Sequence, residues 1–212
     1  MFQKEIQEYK ELKRNRFRVS IFGSSRIKRK DPIYKQVHAL AKMLGERGID
    51  VITGGGPGIM EAANLGHNEG SKKTNAKSFG LNIFLPHEQK LNPGVQVEKR
   101  FKRFSQRLDN FMLLSNAIVV AHGGVGTLLE LCYVWQVLQV KNVNNIPIIL
   151  MGEQWVGLLE WLRDEPLRRS YFSKRDLKLL FHADKINEVI KIIDAAHDQY
   201  KSGNGKDFVL KY

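Results

Sequence analysis

The stretch NAIVVAHGGVGTLLELCYVWQVL, from Asn116 to Leu138, limits what this chain can fold into more than any other. The apolar, β-branched run from Ala117 to Ala121 predicts a buried strand. It leads into a loop with three glycines, Gly123, Gly124 and Gly126. That loop opens directly into an apolar helix, with Thr127 and Glu130 expected in its first turn. Glycines let backbone N–H groups approach a ligand closely, and the unpaired N–H groups and positive dipole end of the helix favour an anion such as phosphate. The glycines alone are explained equally well by the tight turn of a βα unit, and an acidic residue in a first helical turn also stabilises the helix dipole. A carboxylate about one turn from a bound anion would repel it, however, so Glu130 points to chemistry.

Length and composition set the outer limits. With 212 residues, 42% of them hydrophobic, the chain has material for one sizeable α/β core and not for two full domains. Cys132 is the single cysteine, so no intramolecular disulfide forms and a reducing, cytoplasmic setting is expected. The opening MFQKEIQEYKELKRNR is charged and lacks an apolar signal core, and no apolar run reaches the roughly 18 residues of a membrane span, so no membrane role is expected. The formal charge of +12, from 34 Lys and Arg against 22 Asp and Glu, would draw in polyanions or small phosphorylated ligands. The basic residues are spread over Lys13 to Arg18, Arg26 to Lys30, Lys72 and Lys73, Lys99 to Arg107, and Arg168 and Arg169. That spread disfavours a nucleic-acid-binding tail without excluding nucleic acid as a partner.

In chain order, residues 1–15 read as an N-terminal helix or arm, 16–201 as the single domain and 202–212 as a tail. Phe17 to Phe22 is a strand that empties into Gly23, Ser24 and Ser25, a loop suited to a phosphate or ribose contact because ligands of open α/β sheets bind outside the C-terminal strand ends. Asp31 and Pro32 start a helix that Gly48 closes. The strand from Asp50 to Thr53 runs into Gly54, Gly55, Gly56, Pro57 and Gly58, followed by Met60 in the next helix. Four glycines in five residues bring the backbone close to something, either a ligand or another helix, and a ligand is the expectation. Further strands are read at Phe79 to Leu85, Val97 to Phe104, Ile146 to Met151 and Leu177 to His182. Helices are read at Ser105 to Leu114, up to Val140, Trp155 to Arg163 and Ile186 to Lys201. Short apolar strands separated by helices predict a Rossmann-like parallel sheet with helices on both faces.

Several chemistries lack their residues. Neither glycine loop has GxGxxG spacing with an acidic residue some 20 positions on, no GxxxxGK[ST] is present, and the six histidines are scattered with no zinc-type Cys and His set. No metal or redox cofactor is required by what is present.

The string GGVGTLLEL at 123–131, TGGGPGIMEAAN at 53–64 and Arg107 on the preceding helix together resemble the LOG family, long mislabelled "lysine decarboxylase". The likeness runs from GSS at 23–25 through GLNIFLPHEQ at 80–89 to the Pro147 strand. It implies a Rossmann-like, typically dimeric protein that hydrolyses the N-glycosidic bond of nucleoside 5′-monophosphates to a free base and ribose 5-phosphate. On that likeness Glu130 matches the catalytic carboxylate, Arg107 the family's arginine, and Gly123, Gly124, Gly126 and Thr127 the phosphate loop. Gly23, Ser24, Gly55, Gly56, Gly58 and Met60 fall to the ribose or base side. His122 stands where the family has proline. Leu108 replaces the lysine that usually follows the arginine, removing a charge near the site.

A carboxylate beneath the sugar would stabilise a cation-like transition state and deprotonate the attacking water, while the held phosphate positions the ribose. Arg107 would pair with the phosphate, or with Glu130 and so keep that carboxylate ionised. Phe101, Phe104 and Phe111 near Arg107 are read as core in preference to base stacking. A homodimer is expected from the likeness and the apolar face Leu131, Val134, Trp135 and Leu138. The reading from a different class is a non-catalytic nucleotide, molybdenum-cofactor or nucleic-acid binding protein on the same fold.

Overall fold

The computed structural model describes residues 16–84, 91–140 and 146–203. The expected helix at 1–15 and the tail from 204 lie outside them. Seven strands form one sheet: β1 (Arg18–Phe22), β2 (Asp50–Thr53), β3 (Ser78–Ile83), β4 (Val97–Phe101), β5 (Ala117–Val120), β6 (Ile148–Met151) and β7 (Leu180–Ala183). Every pairing is parallel, in the order β4-β3-β2-β1-β5-β6-β7. Between them run α1 (Pro32–Glu46), α2 (Ile59–Gly70), α3 (Phe104–Leu114), α4 (Val125–Gln139), α5 (Val156–Leu162), α6 (Lys174–Leu177) and α7 (Ile186–Lys201). The strand order reverses at β1 and β5, and the crevice outside that reversal is where ligands of such sheets bind.

The period of two along each strand divides the core into two layers. Val19, Ile21, Val51, Ala117 and Val119 face one side, where Val37, Leu40, Ala62, Val189 and Ile193 of α1, α2 and α7 cover them. Phe22, Ile52, Leu81, Ile118 and Val120 face the other, under Phe111 of α3, Leu131 and Val134 of α4 and Leu159 of α5. Burial on both faces explains why the strands read as continuous apolar runs. Asp31 caps α1 by accepting the Ile33 N–H at 2.8 Å, with Pro32 following in the first turn.

Three boundaries differ from the sequence reading. The strand expected through Phe104 stops at Phe101, and Phe104 opens α3. The helix expected over Trp155 to Arg163 is α5 followed by a π-helical turn, Arg163–Leu167, because Pro166 has no N–H for the regular ladder. The expected strand from Leu177 begins at Leu180, since Ser173 and Asp176 form a capping box that folds the preceding residues into α6.

Candidate active site

Three strands that are neighbours in space but distant in sequence deliver their loops to the crevice. β5 delivers His122 to Gly126, β1 delivers Gly23 to Arg26, and β2 delivers Gly54 to Gly58. Main-chain bonds join them: Ser24 N–H donates to the His122 carbonyl at 2.9 Å, and Ile59 N–H donates to the Ser24 carbonyl at 3.0 Å. The second bond caps α2 with the β1 loop. It requires Gly58 at φ +69°, where a Cβ would overlap the Ser24 carbonyl.

The crevice is a cleft of about 490 Å³. Of the residues expected at the site, Gly23, Ser24, Met60, Arg107, Gly124, Gly126, Thr127 and Glu130 line it. Gly55, Gly56 and Gly58 do not. Gly55 N–H donates to Thr53 Oγ1 at 2.9 Å and its carbonyl accepts from Asn92 N–H at 2.9 Å, while the Gly56 carbonyl accepts from Asn92 Nδ2 at 2.8 Å. Asn64 completes the set, its Oδ1 accepting from Thr53 Oγ1 and Asn92 Nδ2 and its Nδ2 donating to Ser78 Oγ. Close packing, where a ligand was expected, accounts for those three glycines. Gly54 is the member that faces the cleft, and a Cβ there would overlap the Arg107 guanidinium and Met60 Sδ.

Gly123 is also set back from the cleft lining. Its N–H donates to Gln154 Oε1 at 2.9 Å and its carbonyl accepts from Gln154 Nε2 at 2.6 Å, so its amide is already engaged. Gly124 and Gly126 differ. Neither has positive φ, and a Cβ at either meets no atom within 4 Å. Neither backbone conformation nor packing in the empty protein requires glycine there, and both border the open cleft. Gly124 is the N-cap of α4, so the N–H groups of Val125, Gly126 and Thr127 have no partner inside the helix.

Glu130 lies in the second turn of α4, not the first as expected, because the helix starts at Val125. The helix-dipole explanation of its identity therefore weakens. Its Oε1 is 3.5 Å from Arg107 Nη2, with the two side chains 14% and 11% exposed. That separation exceeds the 2.7–2.9 Å of a tight charge-assisted hydrogen bond. Arg107 is held from behind, its Nε donating to the Leu81 carbonyl at 2.8 Å and its guanidinium lying 5.3 Å from the Phe111 ring centroid. Burial pushes the Glu130 carboxyl up to about 7 against the opposing pull of Arg107. Burial likewise lowers the Arg107 guanidinium. The expectation that pairing with Arg107 keeps Glu130 in the ordinary carboxylate range is thus overturned: desolvation outweighs the single cation.

Arg26, Asn82, Ile83 and Phe104 also line the cleft, unanticipated in these roles. Arg26 is exposed, and its guanidinium makes no ion pair among the described residues. Phe104, expected as core, is 51% exposed, whereas Phe101 and Phe111 are core. Leu108 is buried and outside the cleft lining. His122 turns its ring toward Gly152, and its Nε2 is buried with no hydrogen-bond partner among the described residues.

A sequence model of the family described as "possible lysine decarboxylase" matches residues 51–193. Pyrimidine/purine nucleotide 5′-monophosphate nucleosidase of Escherichia coli (strain K12) is 29% identical over 125 residues, 56% of this chain and 28% of that protein, so the matched region spans under a third of the relative. Among solved structures, the molybdenum cofactor binding protein from Rippkaea orientalis superposes with a TM-score of 0.63 at 18% identity, over 85% of this chain and 96% of that one. The molybdenum cofactor carrier protein from Chlamydomonas reinhardtii gives 0.62 at 17% identity, over 86% and 98%. These two likenesses establish a shared fold. No helix among the described residues is long and apolar enough to cross a membrane.

Proposed function

The chain belongs to the family described as "possible lysine decarboxylase", the LOG family its motifs resemble, and from that premise we propose that it is a nucleoside 5′-monophosphate phosphoribohydrolase. The observation that carries the reading is a half-neutralised, desolvated carboxylate, Glu130, in the same cleft as the open amide end of α4. The 5′-phosphate sits against the N–H groups of Val125, Gly126 and Thr127, where the missing Cβ atoms of Gly124 and Gly126 admit its oxygens. Arg26 faces the same anion from the β1 loop. The ribose lies over Glu130 and Arg107. A carboxyl poised near 7 is matched to proton transfer at neutral pH.

The C1′–N bond breaks with its electron pair leaving to the base nitrogen, which takes a proton. Water bonds to C1′ through oxygen and gives its proton to ionised Glu130, whose charge also stabilises the ribosyl cation. Arg107 holds the carboxylate in place and offers its second face to the sugar phosphate. The name of the curated E. coli relative supports the same chemistry.

The test is incubation with a panel of purine and pyrimidine monophosphates, reading free base and ribose 5-phosphate. Release that Glu130→Gln lowers by about 10³-fold or more fits the role. Tight binding without turnover would replace this reading with that of a carrier.

We also assign a homodimer built on α4. The sequence reading used Leu131, Val134, Trp135 and Leu138, but the first, second and last of these are buried in the core and Trp135 donates through Nε1 to the Asp176 carbonyl. The uncovered apolar face is the other one, Val125 at 84% exposed, Leu129 at 49%, with Leu128 and Cys132 beside them. A helix apolar on all sides is a helix covered on all sides.

A further inference from the structure

We infer that Asn82 reads the base, and that the preferred substrates carry an oxo group, not an amino group, on the edge facing it. This rests on the phosphoribohydrolase reading and assigns the end of the cleft that reading leaves open. The phosphate end is fixed at α4, after β5. β3 lies three strands away across β2 and β1, roughly 14 Å at about 4.8 Å per spacing. A mononucleotide laid along the cleft therefore runs from amide to ribose to base in that direction, with Arg107 spanning the middle from the Leu81 carbonyl to Glu130.

At the β3 end the lining is Gly54, Met60, Ile83 and Phe104, all without a hydrogen-bonding side chain, and Asn82. Half-exposed Phe104 and the Met60 thioether supply flat apolar surface for a ring. Asn82 supplies the only side-chain hydrogen-bonding group among them, and its orientation is set. Its Oδ1 accepts the Ile83 N–H at 2.8 Å, and Nδ2 has no hydrogen-bond partner among the described residues. What the residue offers a ligand is two N–H donors. A base oxygen satisfies them, whereas an exocyclic amino group would set donor against donor and leave both unmade in a largely apolar pocket.

Asn82→Asp is the direct test, because one carboxylate oxygen keeps the Ile83 N–H bond while the outward donor becomes an acceptor. Inosine and adenosine 5′-monophosphates differ in just this way at position 6 of the purine, and uridine and cytidine 5′-monophosphates at position 4 of the pyrimidine. For the wild type, kcat/KM is expected to favour the oxo member of each pair by about tenfold or more, and Asn82→Asp to reverse the order. Asn82→Ala, which removes the donor and adds nothing, brings each ratio close to one. A general loss of activity from the added charge would lower both members equally and leave the ratio unmoved. Ratios equal in wild type and both variants overturn the assignment. If the wild type hydrolyses no monophosphate, the hydrolase reading fails by itself. The same pairs measured by calorimetry then decide Asn82, with the same order and its reversal expected in Kd and equal Kd values overturning it.

Discussion

Replacing Glu130 by glutamine should make the protein more stable at alkaline pH while removing its activity. The amide keeps the shape of the side chain, and the position is 14% exposed, so the change is one of charge in a desolvated site. The rise from the ordinary 4.5 to about 7 is what remains after the attraction of Arg107 has been counted. At about 1.4 kcal/mol for each pH unit it amounts to about 3 kcal/mol. Below pH 4.5 native and unfolded chains both hold the proton, and the charge costs nothing. Between 4.5 and 7 the native state keeps a proton that the unfolded chain has released, so stability falls as pH rises, and the full loss is present above 7. Urea unfolding of wild type and Glu130→Gln is expected to give values within about 0.5 kcal/mol of each other at pH 4.5 and about 3 kcal/mol apart at pH 8, with glutamine the more stable. At this chain length the alkaline difference corresponds to roughly 6–12 °C in Tm. A gap that does not change with pH, or a glutamine variant less stable at pH 8, would refute the account of Glu130 as a carboxylate held against its solvation. The same titration should appear as a rising limb near pH 7 in kcat/KM.

The glycines separate into two classes by experiment. Gly126→Ala should leave the melting temperature within about 1–2 °C of wild type and weaken ribose 5-phosphate binding by about tenfold or more in calorimetry, because its Cβ meets nothing until a ligand arrives. Gly58→Ala, at φ +69° against the Ser24 carbonyl, should instead cost about 2 kcal/mol or more of stability by urea unfolding. Arg26→Ala should raise KM for monophosphates several-fold with little change in kcat, a split that added salt diminishes in the wild type; an unchanged KM removes Arg26 from the phosphate end. Leu129→Glu, placing a charge on the exposed face of α4, should give a monomer by light scattering if that face joins two copies.

Most of the sheet was readable because each strand is buried on both faces and bounded by turn formers. β2 and α7 occur at the residues the pattern predicts, Asp50–Thr53 and Ile186–Lys201. The cleft was readable only in part, for a definite reason. A glycine that must lack a Cβ because Ser24 presses on it and one that must lack a Cβ because a ligand approaches look identical in sequence. The coordinates part them: Gly55, Gly56 and Gly58 are closed in by the chain, while Gly124 and Gly126 open to the cleft. Phe101, Phe104 and Phe111 show the same limit, since which aromatic leaves the core depends on where β4 ends and α3 begins. Asn82 and Arg26 carried no local signal. They reach the site because β3 and β1 end beside it, and pairing between distant strands is the information a linear motif lacks.

The two main-chain bonds that link the β1 loop to the β5 and β2 loops carry a consequence for how such a protein changes over time. Ser24, His122 and Ile59 contribute backbone atoms alone to those links, so replacing their side chains leaves the framework of the crevice standing. Variation can therefore accumulate at the β3 edge, altering which ring is accommodated, while the grip on the sugar phosphate stays as it was. Relatives that share this scaffold are free to diverge in cargo without having to rebuild the socket.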